Sequence, residues 1–88
     1  MTLEASLIEY PCDFPIKIMG KSQPGFAQAV VEIVLRHDPA FNAASMEMRS
    51  SKAARYLGLT CTVRATSREQ LDALYQELCD HPMVVMVL

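Results

Sequence analysis

The stretch that decides the fold reads YLGLTCTVRA and spans Tyr56–Ala65. Apolar residues at positions 57, 59, 61 and 63 alternate with glycine, threonine and arginine at positions 58, 60, 62 and 64. An alternation of period two predicts a strand with one buried and one open face, and threonine and valine suit the pleat of such a strand. We therefore expect this segment to lie inside a sheet that covers a core.

Three further segments predict strands. Residues 14–19 alternate Phe14, Ile16 and Ile18 with proline, lysine and methionine. Residues 44–49 place two methionines between polar residues, and residues 83–88 are apolar throughout. Together with Tyr56–Ala65, these segments predict a sheet of four strands.

Two amphipathic helices separate the strands. The turn at residues 20–25 opens the first helix, with Ser22 as its N-cap and Pro24 in its first turn, and the helix ends near His37. Its apolar positions 26, 30, 33 and 34 form one stripe. The second helix begins at Ser67 and Gln70, which have the spacing of a capping box, and its apolar positions are 71, 74, 75 and 78.

The resulting β-α-β-β-α-β order predicts an α+β fold of the ferredoxin-like type. Two right-handed crossovers place both helices on one face of a four-stranded antiparallel sheet. We expect the strand order 4-1-3-2, an N-terminal tail over residues 1–12 and a single domain over residues 13–88. The second face of the sheet stays open.

Composition limits the classes of function. The chain has 88 residues and a net charge of −2, without the basic excess of a nucleic-acid binder. Its first residues lack a basic n-region, and its longest apolar runs are too short to span a bilayer. The three cysteines show no C-x-x-C spacing. We expect a cytoplasmic protein that binds neither nucleic acid nor membrane.

The open face and the last strand are the predicted interaction surface. Alternation places Met19, Thr60 and Thr62 on that face, and it directs Val85 and Val87 outward from the last strand. Because both faces of this edge strand are apolar, it needs a cover. A partner chain, in the first place a second copy, is one cover, and residues 1–11 folded over the strand are the other.

Four segments resemble the YbeD-like family of short bacterial cytosolic proteins without an established activity. They are FPIKIMG at residues 14–20, SSK at residues 50–52, LYQEL at residues 74–78 and MVVMVL at residues 83–88. The resemblance covers about residues 13–88 and implies a ferredoxin-like fold similar to the ACT regulatory domain. This chain departs from the family pattern in a longer second hairpin without glycine, and in Val85, where the family tends to carry lysine or arginine.

The turn before the first helix is the predicted ligand site. Its QPGF segment, residues 23–26, resembles the turn that lines an amino-acid site in ACT domains. Free backbone N–H groups at a helix start favour a small anion or carboxylate. The residues expected around this ligand are Gly20, Lys21, Ser22, Gln23 and Gly25. The alternative is an ordinary capped helix start.

Catalytic and metal sites are not expected. His37 and His81 lie in separate segments without a metal-ligand spacing. Cys61 falls on the core face of its strand, where cysteine acts as a small hydrophobe. The sequence thus predicts no enzyme, no cofactor and no metal. It favours a non-catalytic interaction or regulatory module that acts through the open face, with an ACT-like sensor of a small carboxylate as the alternative.

Overall fold

The computed structural model describes residues 9–88, which form four strands and two α-helices. In chain order the elements are β1 (Cys12–Lys21), α1 (Phe26–His37), β2 (Glu47–Ser50), β3 (Tyr56–Ala65), α2 (Arg68–Asp80) and β4 (Val84–Val87). The sheet is antiparallel with the order β2-β3-β1-β4. The predicted α+β ferredoxin-like fold and its strand order are confirmed.

Both helices pack on the same face of the sheet. The alternation of β1 and β3 turns Ile16, Ile18 and Leu59 toward the helices, where each is almost completely buried. The apolar stripes of the helices meet them and complete one core. The other fully buried side chains of this core are Phe26, Val30, Ile33, Val34, Cys61, Val63, Leu74 and Leu78.

The first helix begins later than its sequence suggests. Its N-cap is Gly25, with a φ of 87°, and no side chain caps the first turn. A left-handed conformation favours glycine, which has no Cβ to clash. The prediction of Ser22 as N-cap is therefore wrong. Ser22 instead donates its backbone N–H to the carbonyl of Arg55 at 2.9 Å.

The second helix begins as predicted, and the Gln70 side chain makes further hydrogen bonds at its start. The Gln70 N–H donates to Ser67 Oγ at 3.0 Å, which confirms the cap. The Gln70 side-chain amide donates to the carbonyls of His37 at 2.8 Å and Arg64 at 3.1 Å. One side chain thus joins the end of α1, the end of β3 and the start of α2.

Strand β2 is shorter than predicted. Residues 43–45, which include the first two residues of the predicted segment, form a 3₁₀ turn instead, capped by Asn42, whose side chain accepts the Ala44 N–H at 3.0 Å. The asparagine satisfies the turn locally, so pairing starts only at Glu47. The result is a four-residue edge strand against the ten residues of β3.

A β-bulge changes which residues of β4 face the helices. Ile18 pairs with Val87 and Gly20 with Val84, so β4 has one residue more than β1 in this interval. Such an extra residue shifts the alternation of the strand. Val87 consequently lies on the same side as Ile18, packed against the core. The prediction that Val87 points outward is wrong.

The same bulge places Met86 and Leu88 on the open face, where the alternation had assigned them to the core. Met86 pairs with Met19, and Leu88 exchanges two backbone hydrogen bonds with Lys17, at 2.8 and 3.2 Å. Val85 is exposed, as predicted. The open face is therefore more apolar along β4 than the sequence suggested.

Part of the N-terminal prediction lies outside the described residues. This applies to residues 1–8 of the expected tail, and with them to the alternative that residues 1–11 cover the sheet edge. Tyr10 packs against the core just before β1 begins. Within residues 9–88, neither helix has the length and apolar content needed to cross a bilayer.

Candidate functional site: the open face of the sheet

The strand register orders the open face into rows that run across the sheet. Residues that pair across neighbouring strands lie on the same face. One row contains Glu47, Thr60, Lys17 and Leu88, and the next contains Arg49, Gly58, Met19 and Met86. Each row therefore starts with a charged residue on β2 and ends with an apolar residue on or just after β4.

A groove of about 360 Å³ lies over the part of this face formed by β2, β3 and β1. Gly58 contributes to its lining as the third residue of β3, and Tyr56 and Thr60 flank it along the strand. Met19 faces Gly58 from β1 and Arg49 faces it from β2. The groove is open at its centre because Gly58, which these residues surround, has no side chain.

Three charged side chains line the groove. Lys17 and Arg49 are cationic and Glu47 is anionic. Within residues 9–88, none of the three takes part in an ion pair or a side-chain hydrogen bond. Their charges are consequently available to a bound molecule.

The other half of the open face is apolar. Val85 is 58% exposed, Met86 47% and Leu88 64%, and they lie next to Met19. Within residues 9–88, β4 pairs with β1 alone, so its outer edge carries backbone groups that no other strand in this part of the chain pairs with. We call Met19, Val85, Met86 and Leu88 the apolar half of the open face.

The predicted ligand turn is only partly available. Gly20 is buried within β1, where an added Cβ would lie 2.6 Å from the Phe26 ring and in contact with the carbonyl of Met83. This glycine therefore permits close packing and is not part of an open turn. The remaining predicted residues, Lys21, Ser22, Gln23 and Gly25, are exposed before α1.

The predicted interaction residues separate into four places. Met19 and Thr60 line the groove, while Thr62 is on the open face outside it. Val85 lies at the exposed edge and Val87 faces the helices. The structure thus joins only two of the five in one site.

Sequence reasoning missed the contributions of Glu47, Arg49 and Gly58 to the groove. The signal for Gly58 was present, since glycine is unfavourable inside a strand and often marks the close approach of another group. Alternation with Met46 and Met48 indicated that the two charged residues share a side of the sheet, but not that they lie opposite Thr60 and Gly58, because that register cannot be derived from β2 alone.

The nucleophilic and metal-ligating side chains lie apart from this groove. Burial raises the pKa of the Cys61 thiol to about 11. His37 Nε2 lies 2.7 Å from Glu77 Oε1, in a contact between the two helices, and neither residue lines the groove. No group of three or more histidine, cysteine, aspartate or glutamate side chains in residues 9–88 is arranged to hold a metal ion.

Comparison with known proteins gives consistent results. The family model "Protein of unknown function (DUF493)" matches residues 5–88. A UPF0250 protein of Bordetella parapertussis is 67% identical over 85 residues, which cover 97% of this chain and 93% of that protein. A UPF0250 protein of Nitrosomonas europaea is 65% identical over 85 residues, which cover 97% and 98%.

A similar fold is known from an experimental structure. The solution structure of protein HP0495 from H. pylori matches with a TM-score of 0.75, covering 92% of this chain and 85% of that one. The sequence identity is 17%, so the likeness shows the fold alone.

Proposed function

The chain belongs to the DUF493 family, a YbeD-like family of bacterial proteins of unknown function, and we propose on this premise that it is a non-catalytic interaction module. Its docking surface is β4 together with the apolar half of the open face. Its partner is another protein chain, in the first place a second copy of itself.

The observation that carries this proposal is the difference between the two edges of the sheet. The β2 edge presents Glu47 and Arg49, which are charges of the kind that discourage pairing with another strand. The β4 edge presents Val85 and Met86, exposed and without a charged neighbour on their own strand. Exposed apolar side chains beside unpaired backbone groups favour strand addition by a partner.

The state of Cys61 supports a binding role over nucleophilic catalysis. A thiol whose pKa is raised to about 11 by burial is protonated at neutral pH, and the thiolate is the reactive form. The polar groups of the helix layer are also engaged with one another, as in the contacts of Glu77 with Arg36 and His37.

Sedimentation velocity at micromolar concentration tests the proposal. We expect wild type to sediment as a species heavier than the 9.8 kDa chain and Val85→Asp to sediment as the single chain, because a charge at this edge opposes burial. Met48→Asp is the matched control, since Met48 is 62% exposed on the opposite edge strand. A wild-type protein that stays monomeric, or a Met48→Asp variant that dissociates as fully as Val85→Asp, contradicts the proposal.

The alternative function is an ACT-like sensor of a small carboxylate or amino acid. It is favoured by the exposed Lys21, Ser22 and Gln23 next to a helix start without a side-chain cap. Thermal-shift measurements against amino acids test it, with Lys21→Ala as the variant and Lys17→Ala as the control lysine on the same strand. A rise in melting temperature that only Lys21→Ala removes supports the sensor, whereas an unchanged melting temperature throughout the screen contradicts it.

The proposal also includes a cellular location and a regulatory role. We propose that the module acts in the cytoplasm and that its role is regulatory. Fractionation of native cells tests the location, and a membrane-bound or secreted protein contradicts it.

A further inference from the structure

Gly58 is the third residue of β3, at a position where the chain itself does not require glycine. Its φ is not positive. An added Cβ would meet the Arg49 carbonyl oxygen at 3.6 Å and Met19 Cγ at 4.0 Å, which are ordinary van der Waals distances. Glycine weakens a strand interior, and one that neither packing nor backbone geometry explains indicates that another group approaches closely.

The charges around Gly58 indicate the sign of that group. Lys17 and Arg49 outnumber Glu47 in the lining of the groove, although the chain as a whole has a net charge of −2. Arg49, which pairs with Gly58, has a planar guanidinium with several N–H donors, and this geometry suits the oxygens of an acidic group. The groove is therefore a locally cationic site on an acidic protein.

The remaining lining indicates the shape of the ligand. Tyr56, Met19 and Leu88 provide an aromatic ring, a thioether and an aliphatic side chain around the bare backbone of Gly58. Aromatic and methionine side chains pack well against flat rings. A volume of about 360 Å³ falls within the range of small-molecule sites.

We propose that this groove binds a small organic anion with a flat apolar body. The body lies over Gly58 between Tyr56 and Met19, and the acidic group pairs with Arg49 and Lys17. The inference goes beyond the proposed interaction module. The groove shares Met19 and Leu88 with the apolar half of the open face, but it extends to Arg49, Gly58 and Tyr56 on the β2 side and does not include Val85 or Met86.

Two fluorescent probes with the same rings, one charged and one uncharged, test whether the ligand needs an acidic group as well as a flat apolar body. Anilinonaphthalene sulfonate has fused aromatic rings and one sulfonate, and N-phenylnaphthylamine has the same rings without the charge. We expect saturable binding of the sulfonate to the folded full chain, about tenfold tighter than that of the uncharged probe, a difference equivalent to one charge-assisted hydrogen bond. Equal affinity for both probes overturns the anion part of the proposal.

Variants locate the site. We expect Gly58→Val to reduce sulfonate binding by at least about tenfold, because its side chain fills the space over the strand. Arg49→Ala should produce a comparable loss, and its position on an exposed edge strand leaves the fold intact. Thr62→Val is the control, since Thr62 has the same face and strand but does not line the groove.

Amide chemical shifts in the titration give a second readout that does not depend on the variants. We expect the largest changes at Gly58, Thr60 and Arg49. Changes centred on Val85 and Met86 instead, or full binding by folded Gly58→Val and Arg49→Ala, overturn the proposal and leave a peptide-docking face as the use of this surface. Val85→Asp should bind the sulfonate like wild type, so a failure of self-association and a failure of the ligand site are distinguishable.

Discussion

The two faces of β1 differ sharply, although neighbouring residues form them. Ile16 and Ile18 are completely buried against the helices, whereas Lys17 and Met19 lie on a face that no other element of residues 9–88 covers. Folding stability therefore depends on one set of alternate residues, and the other set contains the residues of the proposed binding surfaces. Substitutions on opposite faces of the same strand should separate these two roles.

The largest effect is expected from Ile18→Ala compared with Met19→Ala. The first removes a buried side chain from the core and should lower the free energy of unfolding by about 2–5 kcal/mol. The second shortens a partly exposed side chain and should lower it by about 1 kcal/mol or less. Urea denaturation measures both, and equal losses would contradict the division of the sheet into a stabilising and an open face.

Gly20 and Gly58 provide a second comparison between the buried and the open face of the sheet. Gly20→Ala should lower the free energy of unfolding by about 1–3 kcal/mol, because its Cβ would overlap the Phe26 ring and the Met83 carbonyl. Gly58→Ala should raise it by about 0.5–1 kcal/mol, because alanine restricts the unfolded chain and finds room on the open face. Thermal unfolding measures the sign of each change. Destabilisation of both variants to the same extent would show that Gly58 is also a packing glycine.

Asp38 tests how much the hydrogen bonds of a buried carboxylate contribute to stability. It is 7% exposed, and its carboxylate accepts the Arg64 N–H at 2.9 Å and the Ala40 N–H at 3.3 Å. Asp38→Ala should lower the free energy of unfolding by about 1–2 kcal/mol, since it leaves these donors without that acceptor. Asp72→Ala, on the exposed side of α2, is the control and should change it little. A silent Asp38→Ala variant would mean that water replaces the carboxylate.

The smallest effect is expected at Glu77, on the surface of the helix layer. Hydrogen bonds from Arg36 and then His37 lower the pKa of its carboxyl below 4.5. A lowered pKa in the folded state means that the stabilisation is complete above the ordinary pKa and is lost as pH falls through the folded value. Because the side chain is 34% exposed, the contribution is a few tenths of a kcal/mol.

Denaturation of wild type and Glu77→Gln at neutral and strongly acidic pH checks this dependence. The advantage of wild type should be present at neutral pH and vanish in acid. A difference between the two proteins that is independent of pH would assign the effect to side-chain packing.

The strand pattern of the sequence was sufficient to predict the fold. Tyr56–Ala65 forms β3 over its whole predicted length, because its alternation matches the burial of successive residues. Ser67 caps α2 as its spacing with Gln70 indicates. The same pattern was uninformative in β4, where every residue is apolar, and the bulge that turns Val87 toward the helices leaves no trace in such a run.

The candidate site was less predictable for a physical reason. Alternation correctly placed Lys17, Met19 and Thr60 on the open face. It also put Glu47 and Arg49 on the side opposite Met46 and Met48, but it could not show which residues of β3 they lie beside, because that register depends on where β2 begins after the 3₁₀ turn. A groove is defined by the contacts between strands, and these are absent from the pattern of any one strand.

The pairing of β1 with β3 has a consequence for folding kinetics. The nearest paired residues, Lys21 and Tyr56, are separated by all of α1 and β2, so the central ladder forms only after a long segment of chain has closed into a loop. Such non-local contacts slow folding. Stopped-flow measurements should therefore show that substitutions in the central pair, such as Ile18→Ala, slow refolding, while those at the β4 edge mainly accelerate unfolding. The β4 edge, which is the proposed docking surface, is then expected to be among the last parts of the molecule to form, after the core beneath it is complete.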